Sequence, residues 1–241
     1  MKYDEKFLYF YAEGDGFEPG EDALYIPIDT TPKTGSTYCE NYDLTFERPC
    51  DFVIYVHGVE DSRLVVQERY EVMRAVFSQE TEAFDPYIDP VAADTPVFTN
   101  IKLVLQLLAE DRDPLDENSI TYESYETGAL RHGNANPESD DFDSLADFMF
   151  TENGVEIRIP WQLLNFANPS EMMIHDDYYE NYGVEYIHID EMYVGLSWGE
   201  QEYRIPMAAL PLEGWGRNVT YHERLKKSYY ILQEYWVGLD D

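Results

Sequence analysis

The chain has 241 residues, 44% of them hydrophobic and 15% aromatic, so it can bury a sizeable core and is not a disordered acidic tail. Asp and Glu number 49 against 16 Lys and Arg, a formal net charge of −33. That balance excludes nucleic-acid binding through a basic surface and disfavours anionic membranes. No apolar run reaches the roughly 18 residues that cross a bilayer, so no membrane insertion is expected. We expect one elaborated domain over residues 1–241.

The first part of the chain alternates apolar and polar residues with a period of two, which is typical of β-strands. Strands are predicted over 6–11, 23–29, 51–57 and 63–66. Pro27 removes a backbone donor, so its strand is expected at a sheet edge or at a bulge. Cys39 and Cys50 flank a short polar segment that fits a hairpin. Their spacing allows either a disulfide or two buried free thiols.

The middle of the chain is richer in loops. Residues 98–108 permit a strand or a short helix, and the surrounding strands favour the strand. Residues 78–97 are irregular, and residues 111–144 form a long polar insert expected to supply surface loops. A structural calcium ion would need several oxygen ligands. The insert is dense in them, and we take Asp111, Asp113 and Asp116 as candidate metal ligands, although their spacing is not that of an EF-hand.

The strongest hairpin signal is Asn153-Gly154, which joins a strand near 146–150 to one over 155–159. On the second strand the three apolar residues at alternate positions are expected to face inward. Pro160-Trp161 then begins a single helical turn, and the tryptophan is expected to fill the core. The remaining predicted elements are strands within 185–198 and 202–205 and a helix over 221–236, although residues 229–232 also permit a strand.

Roughly nine or ten short strands with no alternation of strand and helix indicate a mostly-β fold. We predict a two-sheet antiparallel β-sandwich, jelly-roll-like, with long loops and a C-terminal helix. No nucleophile elbow, phosphate loop or zinc-protease motif is present in the sequence. Carboxylate pairs arise by chance among so many acidic residues, so they do not indicate a glycosidase. The chain is therefore predicted not to be an enzyme.

Aromatic residues beside polar ones are the most informative candidates for a binding site, because a flat ring stacks on a sugar while polar groups take its hydroxyls. Trp198 and Trp215 each neighbour glycine in loop-like contexts. Tyr178 and Tyr179 follow Asp177 in a second such cluster. These five residues are the predicted ligand-binding residues, and burial of the same rings in the core is the alternative.

Residues 155–164, Val-Glu-Ile-Arg-Ile-Pro-Trp-Gln-Leu-Leu, resemble the E-x-x-I-P-W-x-x-L signature of family 9 carbohydrate-binding modules and the wider DOMON-like sandwiches. Residues 24–30 and 51–56 are similar to earlier strands of that group. The resemblance covers about half the chain in scattered blocks. It implies a β-sandwich, extracellular or cell-surface placement, a sugar or a haem as ligand in different branches, and often a bound calcium ion.

Two functions follow as expectations. The first is a non-catalytic carbohydrate-binding module of a secreted or cell-surface bacterial protein, which binds a polysaccharide or its chain end. The second is a structural or docking sandwich domain of a multidomain polysaccharide-processing protein, without a ligand site. The expected partners are a polysaccharide or oligosaccharide and other domains of a parent protein. Any signal sequence is expected outside this chain.

Overall fold

The computed structural model describes residues 1–71, 91–108, 121–181, 185–199, 203–216 and 227–237. Within these residues the strands are β1 (Lys2–Tyr3), β2 (Phe7–Glu13), β3 (Leu24–Asp29), β4 (Ser36–Cys39), β5 (Leu44–Cys50), β6 (Phe52–Val56), β7 (Arg63–Gln67), β8 (Phe98–Asn100), β9 (Lys102–Leu108), β10 (Thr121–Glu126), β11 (Phe148–Phe150), β12 (Gly154–Pro160), β13 (Phe166–Asn168), β14 (Met173–His175), β15 (Tyr186–His188), β16 (Glu191–Gly195), β17 (Ser197–Trp198) and β18 (Met207–Pro211). The helices are α1 (Tyr178–Asn181), α2 (Lys227–Val237) and three 3₁₀ turns, Glu68–Tyr70, Trp161–Leu164 and Pro169–Glu171.

Two antiparallel sheets face each other and enclose the main core. The smaller sheet has the strand order β1-β2-β12-β11, and the larger has the order β18-β16-β3-β6-β7-β8, with β17 also paired to β3. The hairpins β4–β5 and β9–β10 and the sheet β13-β14-β15 lie outside these two. The predicted mostly-β sandwich with a C-terminal helix is confirmed. No helix in the described part of the chain has the length and apolarity needed to cross a membrane.

Alternation along the strands decides which side chains enter the core. On β2, Leu8, Phe10 and Ala12 are buried while the residues between them face outward. On β12 the buried set is Val155, Ile157 and Ile159, as the sequence predicts. These two strands pair along their whole length, so their apolar faces form one continuous floor of the core.

Trp161 closes the core at the corner after β12. Its indole is fully buried in the first turn of the 3₁₀ helix, and its Nε1–H donates to the Asp4 carbonyl oxygen at 2.9 Å. Its ring also packs against Phe166 with 4.7 Å between centroids. The prediction that this tryptophan fills the core is confirmed.

A second, smaller apolar cluster lies on the outer face of the larger sheet, under the β4–β5 hairpin. Cys39 and Cys50 belong to it, and both thiols are fully buried and free. Burial raises the pKa of the Cys39 thiol to about 12. The Cys50 thiol donates to the Phe52 carbonyl oxygen at 2.8 Å. Of the two alternatives left open by the sequence, the structure shows buried thiols.

Pro27 lies inside the larger sheet rather than at its edge, because β3 pairs with β6 on one side and with β16 and β17 on the other. The Ile28 carbonyl oxygen accepts a hydrogen bond from the Asp51 N–H on the β6 side, so the Pro27 nitrogen faces the opposite side. The partner strand is interrupted there, since β16 ends at Gly195 and β17 begins at Ser197. Pro27, which has no N–H to donate, therefore lies opposite the interruption between β16 and β17, where no strand hydrogen bond is formed. The prediction that its strand lies at a sheet edge was wrong.

Gly195 provides the room that Pro27 needs. A Cβ at position 195 would lie 2.8 Å from Pro27 Cγ and 2.9 Å from the Pro206 carbonyl oxygen. Because both neighbours are rigid, Gly195→Ala is expected to lower the free energy of unfolding by about 1–3 kcal/mol. Urea unfolding followed by tryptophan fluorescence measures the change. Ala209→Ser, at an exposed position of β18, is the control and should leave the midpoint nearly unchanged.

Two other sequence predictions differ from the structure. The polar insert is not loop throughout, since β10 pairs with β9 as a hairpin, which also confirms the strand over 98–108. The strand expected over 202–205 is reduced to a bridge between Ile205 and Phe46, and residues 200–202 lie outside the described residues. Of the irregular stretch predicted over 78–97, residues 78–90 lie outside the described residues, and residues 91–97 form neither strand nor helix.

Candidate functional site

A cleft of about 640 Å³ lies on the outer face of the smaller sheet. We call it the outer-sheet cleft. Its floor follows from strand alternation, because the side chains between the buried residues of β2 and β12 face outward. These are Tyr9 and Tyr11 on β2 and Glu156 and Arg158 on β12. Strand register places Tyr11 opposite Glu156 and Tyr9 opposite Arg158.

Two further strands extend both rows of the floor. Lys2 of β1 lies opposite Tyr9, and Met149 of β11 lies opposite Glu156. One row across the sheet is therefore Lys2, Tyr9 and Arg158, and the other is Tyr11, Glu156 and Met149. An aromatic ring lies beside a charged group in each row, at the spacing of paired strands.

The wall of the outer-sheet cleft is the loop 133–136, which is held by its own hydrogen bonds. The Asn134 side-chain amide donates to the Ser139 hydroxyl at 3.0 Å and to Asp141 Oδ1 at 2.9 Å. The Asn136 backbone N–H donates to Asn134 Oδ1 at 3.0 Å. Arg131 Nε donates to Asp143 Oδ2 at 2.7 Å at the base of the loop. The wall is thus ordered by short-range contacts, and Asn134 and Asn136 line the cleft.

Arg158 is held in place from three sides. Its Nε donates to the Ala146 carbonyl oxygen at 2.6 Å and its Nη2 to the Ser144 carbonyl oxygen at 2.7 Å. Its guanidinium carbon lies 4.9 Å from the centroid of the Phe7 ring. Since a guanidinium has five N–H donors, these bonds leave donors for a ligand on a group whose position is already determined.

The hydroxyls of the two cleft tyrosines are oriented by carboxylates. Tyr9 donates to Asp4 Oδ2 and Tyr11 to Glu13 Oε2, each at 2.8 Å. Burial, followed by the hydrogen bond to Asp4, raises the pKa of Tyr9, whereas the hydrogen bond to Glu13 is the main cause that raises the pKa of Tyr11. Both remain neutral donors near neutral pH. The Tyr11 side chain is 51% exposed, so its ring is open to a ligand.

Trp198 and Trp215 both pack against the main core instead of standing out from the surface. The Trp198 ring lies 6.2 Å from Phe17 and so close to Gly14 that a Cβ there would be 2.9 Å from its Cη2. The Trp215 ring lies 6.2 Å from that of Trp161. Each is partly buried, and neither belongs to the outer-sheet cleft.

Asp177, Tyr178 and Tyr179 lie in a largely buried cluster around Arg69 of the 3₁₀ turn Glu68–Tyr70. Asp177 is 2% exposed and accepts from Arg69 through both of its carboxylate oxygens. Tyr178 is 2% exposed, and the Tyr179 ring is covered by the Arg69 guanidinium at 4.4 Å. The carboxylate is occupied and the Tyr178 ring is covered, so neither offers a surface for stacking or for binding a hydroxyl from solvent.

The candidate metal ligands Asp111, Asp113 and Asp116 lie outside the described residues. Among the residues that the structure does describe, no group of three or more His, Cys, Asp or Glu side chains is arranged to hold a metal ion. Outside that insert, the Asp29 carboxylate forms an ion pair with Arg48 at 3.0 Å.

Sequence reasoning missed the outer-sheet cleft. Its signal was present, because two tyrosines alternate with buried residues on β2 and a Glu and an Arg do so on β12. Period-two alternation identifies the outward face of each strand, but it does not say which strands are neighbours.

Comparison of the chain with models of known protein families, with curated proteins and with solved structures finds no match in any of the three.

Proposed function

We propose that this chain is a non-catalytic carbohydrate-binding domain of a secreted or cell-surface protein, and that it holds a glycan in the outer-sheet cleft. The observation that carries the proposal is the pairing of Tyr11 with Glu156 and of Tyr9 with Arg158 on one open face. A sugar combines apolar C–H faces with hydroxyls that both donate and accept. Aromatic rings beside a carboxylate and a guanidinium provide partners for each of these.

The roles of the side chains follow from their exposure. The exposed ring of Tyr11 would stack on the apolar face of a sugar. Glu156 is exposed beside it and would accept from hydroxyls, while the remaining N–H groups of Arg158 would donate to ring or hydroxyl oxygens. Because these groups are mounted on paired strands rather than on loops, little conformational entropy is lost when a ligand binds.

Glycan binding is tested by affinity electrophoresis and calorimetry against a panel of plant, fungal and bacterial polysaccharides, with and without calcium. Tyr11→Ala is expected to weaken binding to the preferred glycan by about tenfold or more, as for the loss of about 1.4 kcal/mol. Glu156→Gln should weaken it less, because the amide keeps one acceptor oxygen. Incubation with the bound glycan should release no new reducing ends.

Tyr125→Ala is the matched control, since Tyr125 on β10 is exposed to a similar extent but lies outside the outer-sheet cleft. The affinity of the Tyr125→Ala variant for the preferred glycan should equal that of the unaltered protein. The proposal fails if no polysaccharide binds under either condition. It also fails if binding survives Tyr11→Ala but is lost in Trp215→Phe, which would place the site elsewhere.

A further inference from the structure

The C-terminal helix α2 exposes almost its whole surface. Residues 228–237 are all exposed. Large hydrophobic side chains that are 49–66% exposed occupy seven of these positions: Tyr229, Tyr230, Ile231, Leu232, Tyr235, Trp236 and Val237. A lone helix of this length is marginal in water because its nucleation is unfavourable. A contiguous apolar surface of this kind marks an interaction site. The helix therefore needs a surface that covers it.

A matching surface is present on the same chain. An apolar pocket of about 440 Å³ opens at the β16 and β18 side of the sandwich. Its apolar lining comes from β2, β3, β16, β18 and the residue between β16 and β17: Ala12, Ile26, Val194, Leu196, Met207 and Leu210. Leu196 is 39% exposed at its rim. The pocket and the helix are thus both uncovered in one copy of the chain.

The apolar area favours two reciprocal contacts over one. Aromatic side chains bury about 150–250 Å² each, so the exposed part of the helix offers on the order of 700 Å², of which about half can face one partner. One insertion would then bury roughly 700 Å² counted over both surfaces, below the approximately 1,200 Å² of a stable interface. Two such insertions bury about 1,400 Å², which reaches that range.

The distribution of charge along the chain also favours a second copy as the partner of α2. The helix itself contains one Lys and one Glu, and the ten residues before it, 217–226, contain Arg217, Arg224 and Lys226 against a single Glu. The whole chain carries −33. The segment before the helix is therefore basic in a chain that is acidic overall. Its positive charges are attracted to the negative charge of a second copy.

We propose that α2 of one copy packs into the apolar pocket of a second copy, and that the second copy returns its own α2, which gives a closed two-fold dimer. The exchange covers the exposed helix and fills the pocket in both copies. Tyr11 borders both the pocket and the outer-sheet cleft, so the dimer contact adjoins that cleft without requiring it to bind a ligand.

The full-length chain is examined by light scattering after size exclusion and by sedimentation velocity over a wide concentration range. The unaltered protein is expected to dimerise. Trp236→Ala should raise the dimer dissociation constant by about 30-fold, as for a buried tryptophan hot spot. Leu196→Asp should do the same from the pocket side. Gln233→Ala on the helix and Val59→Asp on the β6–β7 turn are the matched controls, and both should dimerise as before.

A mixture of the two defective variants provides the sharpest result. Trp236→Ala retains an intact pocket and Leu196→Asp an intact helix, so a heterodimer of the two keeps one unaltered contact and should dissociate less readily than a homodimer of either variant. A chain that is monomeric at every concentration would overturn the proposal. A dimer dissociation constant that is unchanged by Leu196→Asp would overturn the proposal as well, since the helix would then be covered by another surface such as a second α2.

Discussion

Arg69→Met is expected to lower the free energy of unfolding by about 3–5 kcal/mol, because it leaves a buried carboxylate without its counter-charge. Arg69 Nε donates to Asp177 Oδ1 at 3.0 Å and its Nη2 donates to Asp177 Oδ2 at 2.7 Å. The two side chains are 13% and 3% exposed. Arg69 Nη1 also donates to the Val91 carbonyl oxygen at 2.6 Å, so the arginine joins the segment after β7 to a distant part of the chain.

Two comparisons separate the buried charge from the loss of side-chain volume. The double variant Arg69→Met with Asp177→Asn removes both charges and should recover much of the stability. Arg131→Met breaks an ion pair of similar length, 2.7 Å to Asp143, at a side chain that is 60% exposed, and should have little effect. Chemical denaturation of all four proteins decides the matter. An Arg69→Met variant as stable as the unaltered protein would show that the pair is not structural.

Asp51→Ala is expected to lower the free energy of unfolding by about 2–5 kcal/mol, because its buried carboxylate satisfies several donors of the loop after β3. Asp51 Oδ2 accepts from the backbone N–H groups of Thr30 and Thr31 at 2.8 and 2.9 Å. Asp51 Oδ1 accepts from the Thr34 hydroxyl at 2.9 Å. All four residues are buried, so each donor left without a partner costs about 1–3 kcal/mol.

The same carboxyl should make stability depend on pH. Burial, followed by the nearby negative charge of Asp29, raises the pKa of Asp51 from 3.8 to about 7 in the folded protein. Between these two values the folded chain holds a proton that the unfolded chain has lost. The contribution of this group to stability is therefore fully present below pH 3.8 and is lost as the pH rises through about 7.

Asp51→Asn isolates this contribution. The amide oxygen can keep the bonds from Thr30 and Thr31, while the amide nitrogen can donate to the Thr34 hydroxyl, so most of the loop contacts remain. Urea unfolding at pH 5 and pH 8 should show a smaller loss of stability with rising pH in this variant than in the unaltered protein. Equal slopes in both proteins would contradict a raised pKa at Asp51.

The strands that the sequence predicted correctly are those whose pattern is local. On β2 and β12 the alternation of apolar and polar residues predicts which side of the strand is buried, and this prediction does not depend on which strand lies next to it. The position of Trp161 was also predicted correctly, because the strand that ends at Pro160 and the proline itself fix the turn at Trp161 through short-range geometry. Pro27 was misplaced for the opposite reason. The sheet accommodates Pro27 because the strand that faces it is interrupted between β16 and β17, some 170 residues later in the chain. No sequence pattern near Pro27 indicates that interruption.

The candidate site shows the same division. The sequence neighbours of Tyr178, Tyr179 and the loop tryptophans predict exposed rings, whereas contacts with distant residues such as Arg69 and Trp161 cover them. Tyr11 and Glu156 are 145 positions apart and become neighbours only through strand register. A hydrophobic pattern identifies outward faces, but pairing between distant strands depends on the packing of the whole sandwich.

Local alternation along the chain is enough to predict mostly-β structure with period-two strands, and composition alone gives the strong negative charge. The place of Pro27, the exposure of each aromatic ring and the polar residues that share a surface depend on contacts in the folded protein. Burial is a property of contacts between distant segments, and two residues of equal polarity in the sequence can end up in the core or in a cleft.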